Sequence, residues 1–338
     1  MKKEYDVIGI GNPLLDIIIE VDESVLHHHG LQKGGMRGVD NAEGKKILES
    51  LEIYAKAYVS GGSAANTVAG VALLGGKSLF IGVVGDDEHG KKYERDMRDG
   101  GVHTKLHRHE SENTGYAITF VTQGGERSFA VHLGAAGCLR REHLSKDDIK
   151  KSKILHIEGY LLLGEETRET VLSAMKVAKK YDTLVSLDLS AVGVIEKHLP
   201  LVKEIVSEYA DIVFVNEDEA LALTGKEELE ALHDLSESCS IAVVKLGAKG
   251  SLVKRHGKVH TIDPHEVVMV NTNGAGDMYA AGFLHGLAEG HDTEVIGSVA
   301  SEVAGLVVAS EGARMHHSHH GKIKNILKKY NKVSKIIV

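Results

Sequence analysis

The chain has 338 residues, 42% hydrophobic and 26% charged, which is a globular composition and too long for a small disulfide-stapled module. Its 40 Lys plus Arg against 48 Asp plus Glu leave a formal charge of -8, which argues against a general electrostatic grip on nucleic acid or an anionic membrane. The cysteines, Cys138 and Cys239, show no C-x-x-C spacing and the N-terminus lacks a signal-peptide core, so neither a zinc site nor secretion is expected and a cytoplasmic protein is.

In chain order, residues 6–10 read as a first strand. Gly9-Ile10-Gly11-Asn12-Pro13-Leu14-Leu15-Asp16 follows. Two glycines after a strand resemble a dinucleotide fingerprint, but Leu14 stands where the third glycine belongs and Pro13 where the helix should open, which disfavours a dehydrogenase. Asp16 is placed instead near a crevice, where a carboxylate can accept a bidentate hydrogen bond from vicinal hydroxyls. Residues 17–21 add a strand. Residues 59–85 are long enough to cross a membrane, yet contain Asn66, Lys77 and seven glycines, so a spanning helix is not expected. Within them Gly61-Gly62-Ser63-Ala64-Ala65-Asn66 opens a helix over 64–74. Paired glycines permit close approach of a ligand, and Asn66 offers both donors and an acceptor to a polyhydroxy compound. An ordinary helix start explains the segment as well.

A strand at 78–84 and a helix at 90–99 precede two strand-like runs, 115–121 and 127–133, joined by the glycine-bearing loop 122–126 as a hairpin. Strands at 154–157, 183–187, 211–215 and 241–246 then alternate with helices at 165–181 and 199–209. The expected fold is a doubly wound α/β body with a mainly parallel sheet flanked by helices, in one domain, 1–338. A small β-sheet lid from segments near 12–40 and 105–135 completes it.

The most informative segment is Asn271-Thr272-Asn273-Gly274-Ala275-Gly276-Asp277, after a strand-like run at 267–270 and before a helix at 278–287. Gly274 and Gly276 lack a Cβ and the helix terminus supplies unpaired N–H donors, so the turn can hold an anion with the Asp277 carboxylate beside it. A hydroxyl attacking a phosphoryl group there could pass its proton to Asp277, although a tight turn with Asp as helix cap uses the same residues. Helices at 293–309 and 322–330 close the chain. The 21 histidines include tracts at 27–29 and 316–320, which read as solvated loops rather than a metal site.

Taken together, the segments at 9–16, 61–66 and 271–277 resemble the ribokinase (PfkB) family of carbohydrate and nucleoside kinases. Gly61 to Asn66 is similar to its glycine-glycine signature. Asn271 to Asp277 with Ala281-Gly282-Phe283-Leu284 is similar to its D-T-x-G-A-G-D signature, about 210 residues later. The resemblance implies transfer of the ATP γ-phosphoryl to a primary alcohol, with Asp277 as base and Gly274, Ala275 and Gly276 as anion hole. It implies that Asn216 and Glu219 act on Mg²⁺ and phosphate through water, that Lys245, Gly247, Gly250 and Thr272 lie along ATP, and that Arg127 reaches the transferring phosphate. Asn271 stands where Asp is commoner, which puts a bound monovalent cation such as K⁺ in doubt.

Within the family, the 11–16, 133–138 and 157–160 segments are most similar to adenosine kinases. Asn12, Asp16, Gly61, Gly62, Ser63 and Asn66 are expected to hold a ribose, and Leu14, Met36, Leu133, Ala135 and Tyr160 to line a purine slot. The expected acceptor is adenosine or a related nucleoside, and the alternative a free sugar such as ribose or fructose. A non-catalytic nucleoside- or sugar-binding regulator is the rival of another class. A small-molecule substrate is the partner, with no nucleic acid and no membrane, and a homodimer through the lid is a family option.

Overall fold

The computed structural model describes residues 2–123, 125–310, 312–315 and 317–333; Gly124 of the expected hairpin loop and His316 of the second histidine tract lie outside them. Its strands are β1 (Tyr5–Ile10), β2 (Leu14–Glu20), β3 (Met36–Gly38), β4 (Ala57–Gly61), β5 (Ser78–Gly85), β6 (His103–His109) and β7 (Gly115–Val121). They continue as β8 (Arg127–His132), β9 (Ser152–Glu158), β10 (Leu184–Asp188), β11 (Ile212–Asn216), β12 (Ile241–Lys245), β13 (Ser251–Arg255) and β14 (Lys258–Ile262). A nine-stranded sheet runs in the order β14-β13-β12-β11-β10-β9-β1-β5-β6, parallel from β12 to β6, with β13 antiparallel to both of its neighbours.

Alternation along these strands divides the core. Val7, Phe80, Ile154, Phe214 and Val243 face the helices Ser63–Leu73, Ala275–Ala288 and Thr293–Val308. Ile8, Ile81, Leu155, Leu187 and Val244 face the helices Glu165–Lys180 and Val192–Glu208 on the other side. This is the doubly wound arrangement, whose ligand crevice lies beyond the carboxyl ends of the parallel strands. Residues 59–85 split into the end of β4, a helix and β5, and among the described residues no helix is long and apolar enough to cross a membrane.

The second sheet has five strands in the order β3-β8-β7-β2-β4. One face packs Leu15, Ile17, Ile118, Phe120 and Ala130 against the helices Glu23–His28 and Asn41–Ser50. By alternation, Asp16, Thr119 and Arg127 fall on the opposite face. The expected lid boundaries need correcting: residues 41–61 belong to this unit through the second helix and β4, whereas His103–His109 pairs with β5 at the edge of the large sheet. The strand expected at 267–270 is absent. That run is irregular and solvent-facing, with Val268 85% and Met269 68% exposed, because the sheet already ends at β14.

Helices Ala275–Ala288 and Thr293–Val308 touch closely at Gly282, where a Cβ would lie 2.7 Å from the Cα of Ala300. Gly282→Ala should therefore destabilise the protein by about 1–3 kcal/mol in urea unfolding through overpacking. If helix propensity dominated, the substitution would stabilise by roughly 0.5–1 kcal/mol instead, and that result would contradict the close packing.

Candidate active site

Site residues fall at the carboxyl ends of successive parallel strands: Gly11 and Asn12 after β1, Glu158 ending β9, Asp188 ending β10, Asn216 ending β11 and Lys245 ending β12. The first glycine turn is built around Glu158, which is 1% exposed. One carboxylate oxygen accepts from the Asn12 backbone N–H (2.9 Å) and the Asn12 Nδ2 (2.6 Å), the other from the Ala64 N–H (2.8 Å) at the mouth of the helix Ser63–Leu73. Burial pushes this carboxyl up to about 7 against those three hydrogen bonds. Gly62 has φ +97°, and a Cβ there would sit 2.2 Å from the Asn12 carbonyl oxygen, so the turn admits only glycine. At Gly61 a Cβ would meet the Asp16 carboxylate at 2.5 Å.

The second turn comes to meet the first. Asp277 Oδ1 accepts from Ser63 Oγ at 2.6 Å and Oδ2 from Asn66 Nδ2 at 2.8 Å, while the Thr67 hydroxyl donates to the Asp277 carbonyl at 3.3 Å. Burial pushes the Asp277 carboxyl up to about 6, with the Ser63 and Asn66 hydrogen bonds opposing, Asp188 adding to the rise and Lys245 reducing it. Asp16, half-buried on β2, is pushed up to about 7 by burial, with Arg314 and Arg127 pulling it back and Asp277 raising it further. Asp16 thus feels both the Arg127 guanidinium and the Asp277 carboxylate.

Beside Asp277 lies a cavity of about 800 Å³, within the ~300–1,000 Å³ of ordinary ligand pockets. Asn216, Lys245, Gly247, Gly250, Thr272, Ala275 and Gly276 line it. Gly274, at φ +74°, precedes the helix Ala275–Ala288, whose Ala275 N–H donates to the Thr272 carbonyl at 3.2 Å and whose first two residues, Ala275 and Gly276, line this space. The Lys245 ammonium lies 3.2 Å from where a Gly276 Cβ would be and 2.8 Å from Asp188 Oδ2. Burial alone would lower this ammonium's pKa, but the Asp188 and Glu219 carboxylates outweigh it and keep Lys245 charged. A buried, charged lysine therefore sits against the Gly276 turn at the mouth of this helix.

Asn216 and Glu219 form a reciprocal capping box. Asn216 Oδ1 accepts from the Glu219 N–H at 2.8 Å, and the Glu219 carboxylate accepts from the Asn216 N–H at 2.9 Å. Glu219 is nonetheless 3% exposed rather than solvated, and burial pushes its carboxyl up, with Lys245 pulling back. Glu219 and Asp188 are hard oxygen donors, and among the described residues no cluster of three or more His, Cys, Asp or Glu forms a protein cage. That donor set fits Mg²⁺, which keeps its waters and is shared with phosphates. Asn271 Nδ2 donates to the carbonyls of Ser310 (3.1 Å) and Gly312 (2.7 Å), so a neutral amide takes up these carbonyls where an aspartate would bring a carboxylate.

The expected purine slot fares differently. Ala135 is 0% exposed within the core under β1 and β5, so its methyl packs the body and cannot line an open slot. Met36, on the edge strand β3, and Leu133, just past β8, are 50% and 45% exposed. Tyr160 is partly buried and donates to the Ser190 carbonyl at 3.2 Å. Sequence reasoning does not reach Asp188 and Arg314, and it meets Glu158 only inside a motif. A carboxylate ending a parallel strand signals the two acids, whereas Arg314 has no local signal.

Fold and site together define a kinase of ribokinase-like architecture. Residues 51–318 match the pfkB family carbohydrate kinase profile, and the chain belongs to that family. It is 31% identical over 324 residues to a 5-dehydro-2-deoxygluconokinase of Listeria monocytogenes, covering 92% of each chain. Among solved structures, an adenosine kinase from Sinorhizobium meliloti aligns with a TM-score of 0.90 at 33% identity, over 95% of this chain and 99% of that one. A probable sugar kinase from Rhizobium etli CFN 42 aligns equally well, at 0.90 and 30% identity over 96% and 98%.

Two outcomes follow from the site. Because the carboxyls of Asp277 and Asp16 are raised to about 6 and about 7, they protonate well above the ordinary carboxylate range, so kcat/KM should fall as pH drops through that window. A profile flat down to pH ~5 would contradict their ionised roles. Initial rates at equal ionic strength in potassium and tetramethylammonium chloride should be equal; potassium activation would show that Asn271 does not replace the ion.

Proposed function

We propose that the protein transfers the ATP γ-phosphoryl to a primary hydroxyl of a sugar or sugar acid. The observation that carries the reading is the Asp277 carboxylate, held by Ser63 and Asn66 at the mouth of a helix whose N–H groups and the nearby Lys245 form an anion site. ATP supplies the phosphoryl group and Mg²⁺ offsets its charge when bound, with Glu219 and Asp188 placed to hold the hydrated ion. Asp277 orients the acceptor hydroxyl and takes its proton, late in a loose transition state. The Gly276 N–H and Lys245 stabilise charge on the transferring group. Asp16 accepts hydrogen bonds from vicinal hydroxyls, and Arg127, on the small sheet, brings a second cation as that sheet closes and excludes water.

Sequence relatives named 5-dehydro-2-deoxygluconokinase, 28–31% identical across 92% of the chain, support a sugar-class acceptor. Two arginines whose charges reach Asp16 agree with it, since they suit a polar and even an anionic acceptor better than a flat base. A nucleoside acceptor is the second reading, favoured by the neighbouring adenosine kinase structure and by the exposed Met36 and Leu133.

ADP release should be measured with ribose, fructose, 5-dehydro-2-deoxygluconate and adenosine. The proposal expects a sugar or sugar acid to give the highest kcat/KM, and Asp277→Asn to lower kcat on it by roughly 10² to 10⁴ without loss of the fold. Preference for adenosine would replace it with the second reading. Binding without turnover of any of the four would contradict both.

A further inference from the structure

The stretch between the helices Thr293–Val308 and His320–Val333 touches both glycine turns. Its Ser310 and Gly312 carbonyls accept from Asn271 Nδ2, and its Ala313 carbonyl lies 2.1 Å from where a Gly274 Cβ would be, which pins the stretch to the second turn. Arg314, two residues past Gly312, then reaches the first. Its Nη2 donates to the Gly61 carbonyl at 3.0 Å, its Nε donates to Asn66 Oδ1, and its Nη1 lies 3.2 Å from the Met97 sulfur. Tyr93 reinforces the anchor by donating to the same Gly61 carbonyl at 2.7 Å.

A carboxamide has one acceptor end and one donor end, and flipping it exchanges them. Asn66 has a cation on one side and a carboxylate on the other. With Oδ1 facing the Arg314 Nε–H, its Nδ2 must face Asp277 Oδ2, as it does at 2.8 Å. The reversed amide would set an oxygen against the carboxylate and N–H groups against the guanidinium. Without the guanidinium, only the Asp277 side still selects the orientation. The guanidinium's electrostatic reach to Asp16 adds a counter-charge on the acceptor side.

We infer that Arg314 is a positioning residue for phosphoryl transfer: it orients the Asn66 carboxamide, which in turn aims the Asp277 carboxylate, and so ties the end of the kinase core to the acceptor turn. The inference rests on Asp277 serving as the base.

Two measurements on the full chain test it, and one needs no turnover. In protein labelled with ¹⁵N at asparagine, the Asn66 side-chain amide, assigned by its loss in Asn66→Asp, should shift with pH as Asp277 titrates. Arg314→Gln should abolish or broaden that shift, and Arg314→Lys, which keeps the charge but not the fork, should weaken it. An unchanged titration in both variants would overturn the inference whatever the acceptor proves to be. On the best acceptor of the substrate panel, Arg314→Lys should lower kcat by about 10- to 100-fold, as small misplacements do, with KM for ATP unchanged. Equal loss in every kinetic constant together with a lowered melting temperature would mark Arg314 as a structural anchor only and overturn its positioning role. Failure of the panel on the wild type would count against the kinase reading and leave the amide titration to decide the role of Arg314.

Discussion

The carboxylate of Asp277, accepting from Ser63 on one oxygen and Asn66 on the other, is the constraint on which the rest of the site depends. It joins two glycine turns that lie more than 200 residues apart in the chain. Neither turn is self-sufficient. The first needs a buried acid, Glu158, to gather the Asn12 and Ala64 N–H groups, and the second needs Asn271 to gather the carbonyls of Ser310 and Gly312. Burial opposes ionising Asp277, and the two donated hydrogen bonds offset part of that cost, leaving a carboxyl that ionises near 6. A carboxyl of that strength is ionised at neutral pH yet basic enough for the proposed role of accepting a proton from an alcohol under attack.

Charge around the anion site follows the same logic. Lys245 is held by Asp188 so that its ammonium stays protonated beside the Gly276 turn, and Glu219, locked in its capping box, also favours that charge. In the proposed reaction an arriving polyphosphate would meet a cation and a helix terminus in fixed positions, with little reorganisation left for the chemical step. The small sheet offers a different environment, with Asp16, Glu20 and Arg127 on the face opposite its own apolar core. That core is separate from the two that flank the main sheet.

Much of this was legible in the sequence because buried parallel strands read as β-branched runs and because both turns carry glycines at fixed offsets from a strand or helix. The large-sheet strands at 6–10, 78–84, 154–157, 183–187, 211–215 and 241–246 were legible to within a few residues. Elements at the periphery were not. β6, His-Thr-Lys-Leu-His-Arg-His, is an edge strand whose charges and histidines mask its pairing, and β4 alternates too weakly to stand out. The apolar run at 267–270 imitates a strand but lines an open cavity rather than a sheet. Asp188 and Glu158 could have been found as acids closing strands. Arg314 could not, since only the folded chain brings residue 314 to residue 66. The acceptor was least legible of all, because a sugar and a nucleoside present the same vicinal hydroxyls to Asp16.

The most direct test of the account is a crystal structure with a non-hydrolysable ATP analogue and Mg²⁺. The terminal phosphate should lie within hydrogen-bond distance of the Gly276 N–H, with Lys245 close by and the Asp277 carboxylate facing that phosphate across the space left for an alcohol. A terminal phosphate bound away from the Gly274–Asp277 turn, or an Asp277 side chain turned from it, would contradict the account.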